Sequence, residues 1–343
     1  MDVQFSDEEL LLRDTVLALA EKAVPDTVAG LEAFDDAALW ARLADAGMLG
    51  LGAAEGLGSL TDAAIAASAL GRTLAPVPYL GCGVLPAHLL AIAGADPALL
   101  DAVISGSRRV AVGIDPSTLS IASDVGEHVL AWDARGADVA VVRRSGAPDG
   151  ALTALELGPP TPGVDLTRSL RWAQPGVAAP GDFGRLDADG EQRWSCLALA
   201  LVSADLVGVM DGALSLAVEH ATARQQFGVP IGSFQAIQHL LADQHTNVEG
   251  ARSVAVYAAW AMEHRPAGEA ALAAHTAKAY CSDVGKKVCE AVVQVHGGMG
   301  LTWECRAHVF LKRVLFDRAF LGDEHVHFRR IAELRRTEAS RGL

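Results

Sequence analysis

The chain has 343 residues, 51% of them apolar, which is enough for two or three packed domains with sizeable cores. Lys and Arg total 28 against 42 Asp and Glu, and the resulting charge of −14 repels phosphate backbones and anionic lipid, so nucleic acid and membrane are poor partners. No run approaches the roughly 18 uninterrupted apolar residues of a membrane span. The acidic start, Met1-Asp2-Val3-Gln4-Phe5-Ser6-Asp7-Glu8-Glu9, has no apolar signal core, and the expected location is the cytoplasm.

The first hundred or so residues read as helical. Ser6 and Glu9 have capping-box spacing, and Leu10, Leu11, Val16, Leu17 and Leu19 then recur with a helical period. Further helices are predicted over residues 36 to 46, 62 to 74 and 86 to 93, with a Gly-rich stretch at 47 to 58 between the first two. Near Arg108 the pattern changes to short Val-rich runs bounded by Gly, Pro and Asp, at 109 to 113, 128 to 132 and 137 to 142. These are strand signals, and they predict a small β domain. The Pro- and Gly-rich stretch 158 to 184 reads as its last turns plus a linker.

Long helices return after residue 190. Residues 196 to 223 are mostly apolar or small and should be buried on several sides; a loop follows at 224 to 232, and Ser233 is positioned to cap the next helix. Pro266 and Gly268 mark the turn to a third helix, which ends at Gly297-Gly298-Met299-Gly300, and a fourth spans 304 to 320. The expected architecture is therefore mostly α with a small β domain: an N-terminal helical domain (1–108), a middle β domain of sheet or barrel type (109–186) and a C-terminal four-helix bundle (187–343). The five cysteines form no C-x-x-C pair and read as reduced, packed thiols. The pairs His239/Asp243 and His325/His327 do not make a metal site, and no metal is expected.

Two segments of the bundle carry chemistry. In Arg224-Gln225-Gln226-Phe227-Gly228-Val229-Pro230-Ile231-Gly232-Ser233-Phe234-Gln235-Ala236-Ile237-Gln238 an Arg at a helix end precedes a Gly/Pro turn and a helix start. A guanidinium beside free backbone N–H groups suits a pyrophosphate, and Gln235 suits a ribose or adenine edge; a plain helix connection with a surface Arg is the alternative. In Gln294-Val295-His296-Gly297-Gly298-Met299-Gly300 three glycines exceed the single one that a helix C-cap needs, which favours close approach of a ligand.

Together these segments, R-x-x-F-G-x-P-I-x-x-F-Q-x-x-Q and then Q-x-H-G-G-x-G, resemble the C-terminal domain of acyl-CoA dehydrogenases. Phe5-Ser6-Asp7-Glu8-Glu9 resembles that family's opening, and the α, β, α order matches its three domains. The resemblance implies that the two motifs bind the ADP half of an FAD whose flavin ring lies in a neighbouring subunit. It assigns that role to Arg224, Gln226, Phe227, Gly228, Phe234, Gln235, Gln294, His296, Gly297 and Gly298.

The family's other motifs are altered. The T-E-P strand end, whose Thr faces the flavin, is matched by Gly113-Ile114-Asp115-Pro116, so that Ile114 replaces the Thr. Leu130-Ala131-Trp132 stands where W-I-T or W-I-S gives a hydrogen bond to the flavin ring. The family takes the α-proton of an acyl thioester with a Glu, which must be ionised and partly desolvated, while the β-hydrogen goes to the flavin. One home of that Glu is matched by Phe320-Leu321-Gly322-Asp323-Glu324, with Leu321 at the Glu position, and the other falls near Ala198. No catalytic residue is assigned; Asp323 and Glu324 are the nearby substitutes, and a helix cap with a first-turn acid is the more ordinary role for them.

What serves a neighbour's FAD is thus kept, and what serves this chain's own flavin and acyl chain is altered. That pattern resembles the non-basic α subunit of actinobacterial heterotetrameric acyl-CoA dehydrogenases of the steroid side-chain type. The tract Leu70-Gly71-Arg72-Thr73-Leu74-Ala75-Pro76-Val77-Pro78-Tyr79 is also similar to that group. The resemblance implies an α2β2 assembly with a catalytic partner subunit, an acyl-CoA substrate, a trans-2-enoyl-CoA product and an electron-transfer flavoprotein as acceptor. Two alternatives stay open: a self-sufficient homotetramer with Asp323 or Glu324 as base, and a flavin-free structural relative.

Overall fold

Helix α1 (Asp7–Ala23) begins at the capping box foreseen from sequence: Ser6 Oγ accepts from Glu9 N–H, and Glu9 accepts from Ser6 N–H at 2.7 Å. The computed structural model describes residues 5–125, 128–147 and 149–341, so the first four residues of the acidic start lie outside it. After α1 come α2 (Val28–Glu32), α3 (Ala37–Asp45), α4 (Leu60–Arg72), α5 (Leu85–Ala93) and α6 (Pro97–Ile104). Helix α4 has a second capping box, Ser59 with Asp62, and Asp96 caps α6 ahead of Pro97. A π-helical turn, Tyr79–Val84, leads into α5.

The β domain comprises β1 (Val110–Asp115), β2 (Ser120–Ile121), β3 (Leu130–Ala131), β4 (Val139–Arg143), β5 (Leu152–Thr161) and β6 (Leu170–Ala179). Pairings run β1-β3-β6-β5-β4, and β4 returns to pair in parallel with β1, so the sheet closes into a small barrel with β2 against the end of β1. The stretch 158–184, expected to be turns and linker, instead carries the end of β5 and all of β6. Pro159 and Pro160 are accommodated because the β5–β6 register slips between Leu155 and Leu157 and again between Leu157 and Pro160. Bulges of this kind spare a ladder the missing proline N–H groups.

The C-terminal region consists of α7 (Ala188–Ala223), a small hairpin of β7 (Gln225–Gln226) and β8 (Val229–Pro230), α8 (Gln235–His264), α9 (Ala267–His296), α10 (Ala307–Ala319) and α11 (Glu324–Arg341). Helices α7, α8 and α9 pack together, with α10 and α11 against α9. Helix α7 is the one helix among the described residues long and apolar enough to cross a membrane, and most of its apolar stretch is buried by its neighbours. It meets α4 through small residues: a Cβ at Gly208 or Gly212 would run into the carbonyl of Ser68 or Arg72, and one at Gly71 into that of Asp205. Ser233 does not cap α8 as expected. Its hydroxyl donates to Pro230 O at 2.7 Å within a short 3-10 turn, and α8 starts after Phe234 with no side-chain cap.

Candidate functional site

The loops after α7 and α9 meet at one end of the bundle. His220, in the last turn of α7, stacks on His296, the last residue of α9, with ring centroids 4.4 Å apart. This contact brings the two glycine-bearing segments into one neighbourhood. Arg224 is the C-cap of α7, and its exposed guanidinium has no partner among the described residues. The β7–β8 hairpin turns on Phe227 and Gly228, both with positive φ (55° and 81°), which projects Phe227 outward at 93% exposure. Phe234 packs edge-to-face against Phe227, their centroids 6.3 Å apart.

Because α8 lacks a side-chain cap, the N–H groups of Gln235 and Ala236 have no acceptor among the described residues and remain open beside Arg224. Gln226 and Gln294 are exposed, whereas His296 is buried, its Nδ1–H donating to Val292 O at 2.8 Å. The glycines of the α9 turn differ in their reasons. Gly297 has φ 63° and ψ −145°, a conformation that excludes other residues. A Cβ on Gly300 would press on His296 Cβ and Val293 O, both at 3.0 Å. Gly298 has neither a positive φ nor anything within 4 Å of an added Cβ. The fold gives no reason for a glycine there, whereas a ligand lying flat on the turn would. An unpaired guanidinium, open helix N–H groups and a turn bare of side chains fit the diphosphate and nucleoside of FAD.

The joint between barrel and bundle is built in the opposite way. Trp132, 5% exposed, stacks on Phe320 at 4.3 Å and on Phe316 at 5.9 Å, and the Arg168 guanidinium lies 4.7 Å from its ring centre. Ile114 is buried in β1. Beneath Trp132 is an ionic cluster that the sequence reading does not anticipate: Arg168 bonds Asp133 and, at 3.0 Å, Asp205, while Arg313 reaches Asp205 at 3.2 Å, Asp317 at 3.3 Å and Asp165 at 3.9 Å. All six side chains are 3% exposed or less. Asp133 also accepts from Gly81 N–H, and a Cβ on Gly81 would collide with Asp133 O, so the π-turn is pinned to the barrel.

Two guanidiniums cannot neutralise four carboxylates. Burial, and then the Asp205 charge, push Asp317 well above the usual carboxylate range. Burial also raises Asp205, but Arg313 and Arg168 overcome it and hold that carboxylate low. Asp133, buried against the pull of the same arginines, is raised to about 6. Burial thus favours the protonated form of Asp317, whose hydroxyl can donate to Asp205 and so satisfy one of its two oxygens; neither has another hydrogen-bond partner among the described residues. The sequence did carry a signal for this cluster: Asp205 is the one acid in the otherwise apolar or small stretch 196–210 of α7, and Arg313 and Asp317 are one turn apart.

Leu321, which the family resemblance sets at the position of the Glu, is buried in a left-handed conformation, φ 53°. Its turn is held by Lys278, whose ammonium donates to Gly322 O at 2.7 Å and Arg318 O at 2.9 Å; burial lowers that amine to about 7. Asp323 caps α11, Oδ1 accepting from His325 N–H at 3.1 Å and Val326 N–H at 3.2 Å. Glu324 is gripped by Arg318 through two bonds of 2.6 Å, which lower its pKa. Both nearby acids thus have structural partners.

The family's N-terminal domain, "Acyl-CoA dehydrogenase, N-terminal domain", matches residues 6–96, and "Acyl-CoA dehydrogenase, C-terminal domain" matches 199–334. The chain is 33% identical to the acyl-CoA dehydrogenase IpdE2 of Mycobacterium tuberculosis, covering 90% of this chain and 91% of that one. Identity to IpdE2 of Mycolicibacterium smegmatis is 30%, covering 95% and 98%. The fold matches that in the crystal structure of the ChsE4-ChsE5 complex from Mycobacterium tuberculosis with a TM-score of 0.81 at 24% identity, covering 97% of this chain and 98% of that one. Both terminal domains are matched, and a third of the residues are shared with a relative along nine-tenths of each chain: the protein belongs to the acyl-CoA dehydrogenase family.

Proposed function

We propose that this chain is the non-basic subunit of a heteromeric acyl-CoA dehydrogenase that converts an acyl-CoA to its trans-2-enoyl-CoA. Arg224, the open start of α8 and the Gly297–Gly298 turn hold the ADP half of an FAD whose ring sits in a catalytic partner. The FAD supplies the two-electron acceptor, and an electron-transfer flavoprotein collects the electrons. The partner provides the carboxylate base and the thioester cleft.

The observation that carries this reading is the contrast between the two regions. The ADP-type segments are open, with Arg224 unpaired among the described residues and Phe227 93% exposed, while Leu321 is buried next to the stack of Trp132 on Phe316 and Phe320. The roles of Asp323 and Glu324 as cap and ion-pair partner leave neither free as a base, which weighs against a self-sufficient enzyme. Of the solved structures that share this fold, one is the ChsE4-ChsE5 complex, two proteins bound together, and another is the Tcur3481-Tcur3483 "steroid ACAD". Both favour a partner subunit, and the second favours a bulky polycyclic thioester.

The test is an absorbance spectrum of the chain purified alone and after co-expression with a candidate catalytic acyl-CoA dehydrogenase subunit. A colourless lone chain, and a pair carrying about one FAD per two chains that is lost with Arg224→Ala, is the expected result. A lone chain that is yellow with one FAD per subunit would overturn the proposal.

A further inference from the structure

Helices α7 and α9 end in imidazoles that stack on each other beside Arg224 and Gly297, an arrangement the packing of two helix ends does not require. The rings are 4.4 Å apart and 23° from parallel. Both lie in last helical turns, where the helix dipole favours a positive charge. His296 commits Nδ1–H to Val292 O, which leaves Nε2 as its one site for a further proton. The His220 side chain has no hydrogen-bond partner among the described residues, and the charged or titratable groups acting on it are His296 and Arg224.

Two imidazoles stacked this closely repel each other when both are charged, so the geometry favours at most a single positive charge on the stack. In the free chain burial, then His296 and Arg224, lower the His220 pKa. A diphosphate placed against Arg224 reverses that balance: its negative charge offsets the guanidinium and attracts a proton to the neighbouring pair.

We infer that the His220–His296 stack is a one-proton anion-binding element of the FAD diphosphate subsite, so that FAD binding at neutral pH takes up a proton and weakens as pH rises. This inference rests on the proposed ADP-binding role of the chain. The pair positions and charges the subsite; it takes no part in the dehydrogenation itself. The linkage has a definite sign. A group whose proton affinity rises on binding favours the bound state at low pH, and one linked proton changes affinity by at most about tenfold per pH unit.

The experiment is calorimetric titration of FAD into the flavin-stripped complex with the partner subunit, in two buffers of different ionisation heat, between pH 6 and pH 8. The expected result is net proton uptake, up to about one per FAD, and binding that tightens several-fold from pH 8 to pH 6. The double variant His220→Phe/His296→Gln should lose both the uptake and the pH slope, while His220→Phe alone keeps a ring on His296 and separates packing from protonation. Absence of proton uptake in the wild-type complex overturns the inference without help from any variant. Arg224→Ala separates the two levels. If it weakens FAD binding at every pH while the histidine variants change nothing, the inference fails and the ADP-binding reading stands. If it leaves FAD binding unchanged, both fall.

Discussion

Asp205 and Asp317 are both buried, both acidic and both in contact with Arg313, yet replacing each by asparagine should have very unequal consequences. Asp205 is the ionised member: it accepts from Arg168 at 3.0 Å and from Arg313 at 3.2 and 3.4 Å. Asp205→Asn removes the charge between two guanidiniums that are each 1% exposed, and stripping one partner from a buried ion cluster costs about 3–5 kcal/mol. Asp317 is the protonated member, so Asp317→Asn exchanges one neutral hydrogen-bond donor for another of the same shape and should cost less than about 1 kcal/mol at pH 7. The pH dependence sharpens the contrast. A carboxyl raised on folding is protonated in the native state and ionised in the unfolded chain, so wild-type stability falls by up to about 1.4 kcal/mol per pH unit between the unfolded and folded pKa values. The amide introduced by Asp317→Asn takes up no proton, and the variant should therefore gain on wild type as pH rises from 5 to 8. Urea unfolding at fixed protein concentration across that range measures both effects. If Asp317→Asn is as damaging as Asp205→Asn, or its difference from wild type does not change with pH, the proton has been placed on the wrong residue.

Trp132 fills space but its Nε1–H is buried with no acceptor among the described residues, so Trp132→Phe should be within about 1 kcal/mol of wild type while Trp132→Ala costs about 3–5 kcal/mol by urea unfolding. Equal losses in both would mean that the indole N–H has a partner. Leu321→Glu restores the family's carboxylate, yet it buries an unpaired charge in a left-handed turn beside Phe320; the expected outcome is a destabilisation of about 3 kcal/mol or more and no dehydrogenase activity in the chain alone. Activity in that variant would show that the cleft opens after all. Gly297→Val should lower stability by about 1–3 kcal/mol because of its φ of 63° and ψ of −145°, whereas Gly298→Val should leave stability unchanged and abolish FAD retention by the complex. A stable Gly298→Val complex with full flavin would remove the ligand from that turn.

What the sequence made legible was local. The Ser6/Glu9 box, the glycine break after His296 and the Val-rich strands depend on neighbours a few residues apart, and each is found where its pattern stands. Helix α6 lies outside the predicted elements although its start is readable, since Asp96-Pro97 is a cap followed by a first-turn proline. Strands β5 and β6 are not readable in this way, because their prolines argue against a ladder until the bulges that absorb them are known. Ser233 misleads for a related reason: a hydroxyl near a helix start has a choice of partners, and the tight turn offers Pro230 O first.

The candidate site divides along the same line. Arg224, Phe227 and Gly298 are recognisable one by one because they face outward, and nothing in the fold has to be known to see that a guanidinium and a bare turn suit a phosphate. The closed cleft depends on residues far apart in the chain: Trp132 from β3's end, Arg168 from the loop before β6, Asp205 from α7 and Phe320 after α10. The substitutions of Ile114, Trp132 and Leu321 could be read from sequence only as missing functions. In three dimensions other contacts stand there: an aromatic stack and a buried ion cluster occupy the joint, and Lys278 fastens the turn around Leu321. A chain that had merely lost its catalytic groups would leave that joint wet and weak. Here the joint is packed as a core, and a site offered to another subunit, as proposed for the Arg224 end, is best held on such a well-packed scaffold.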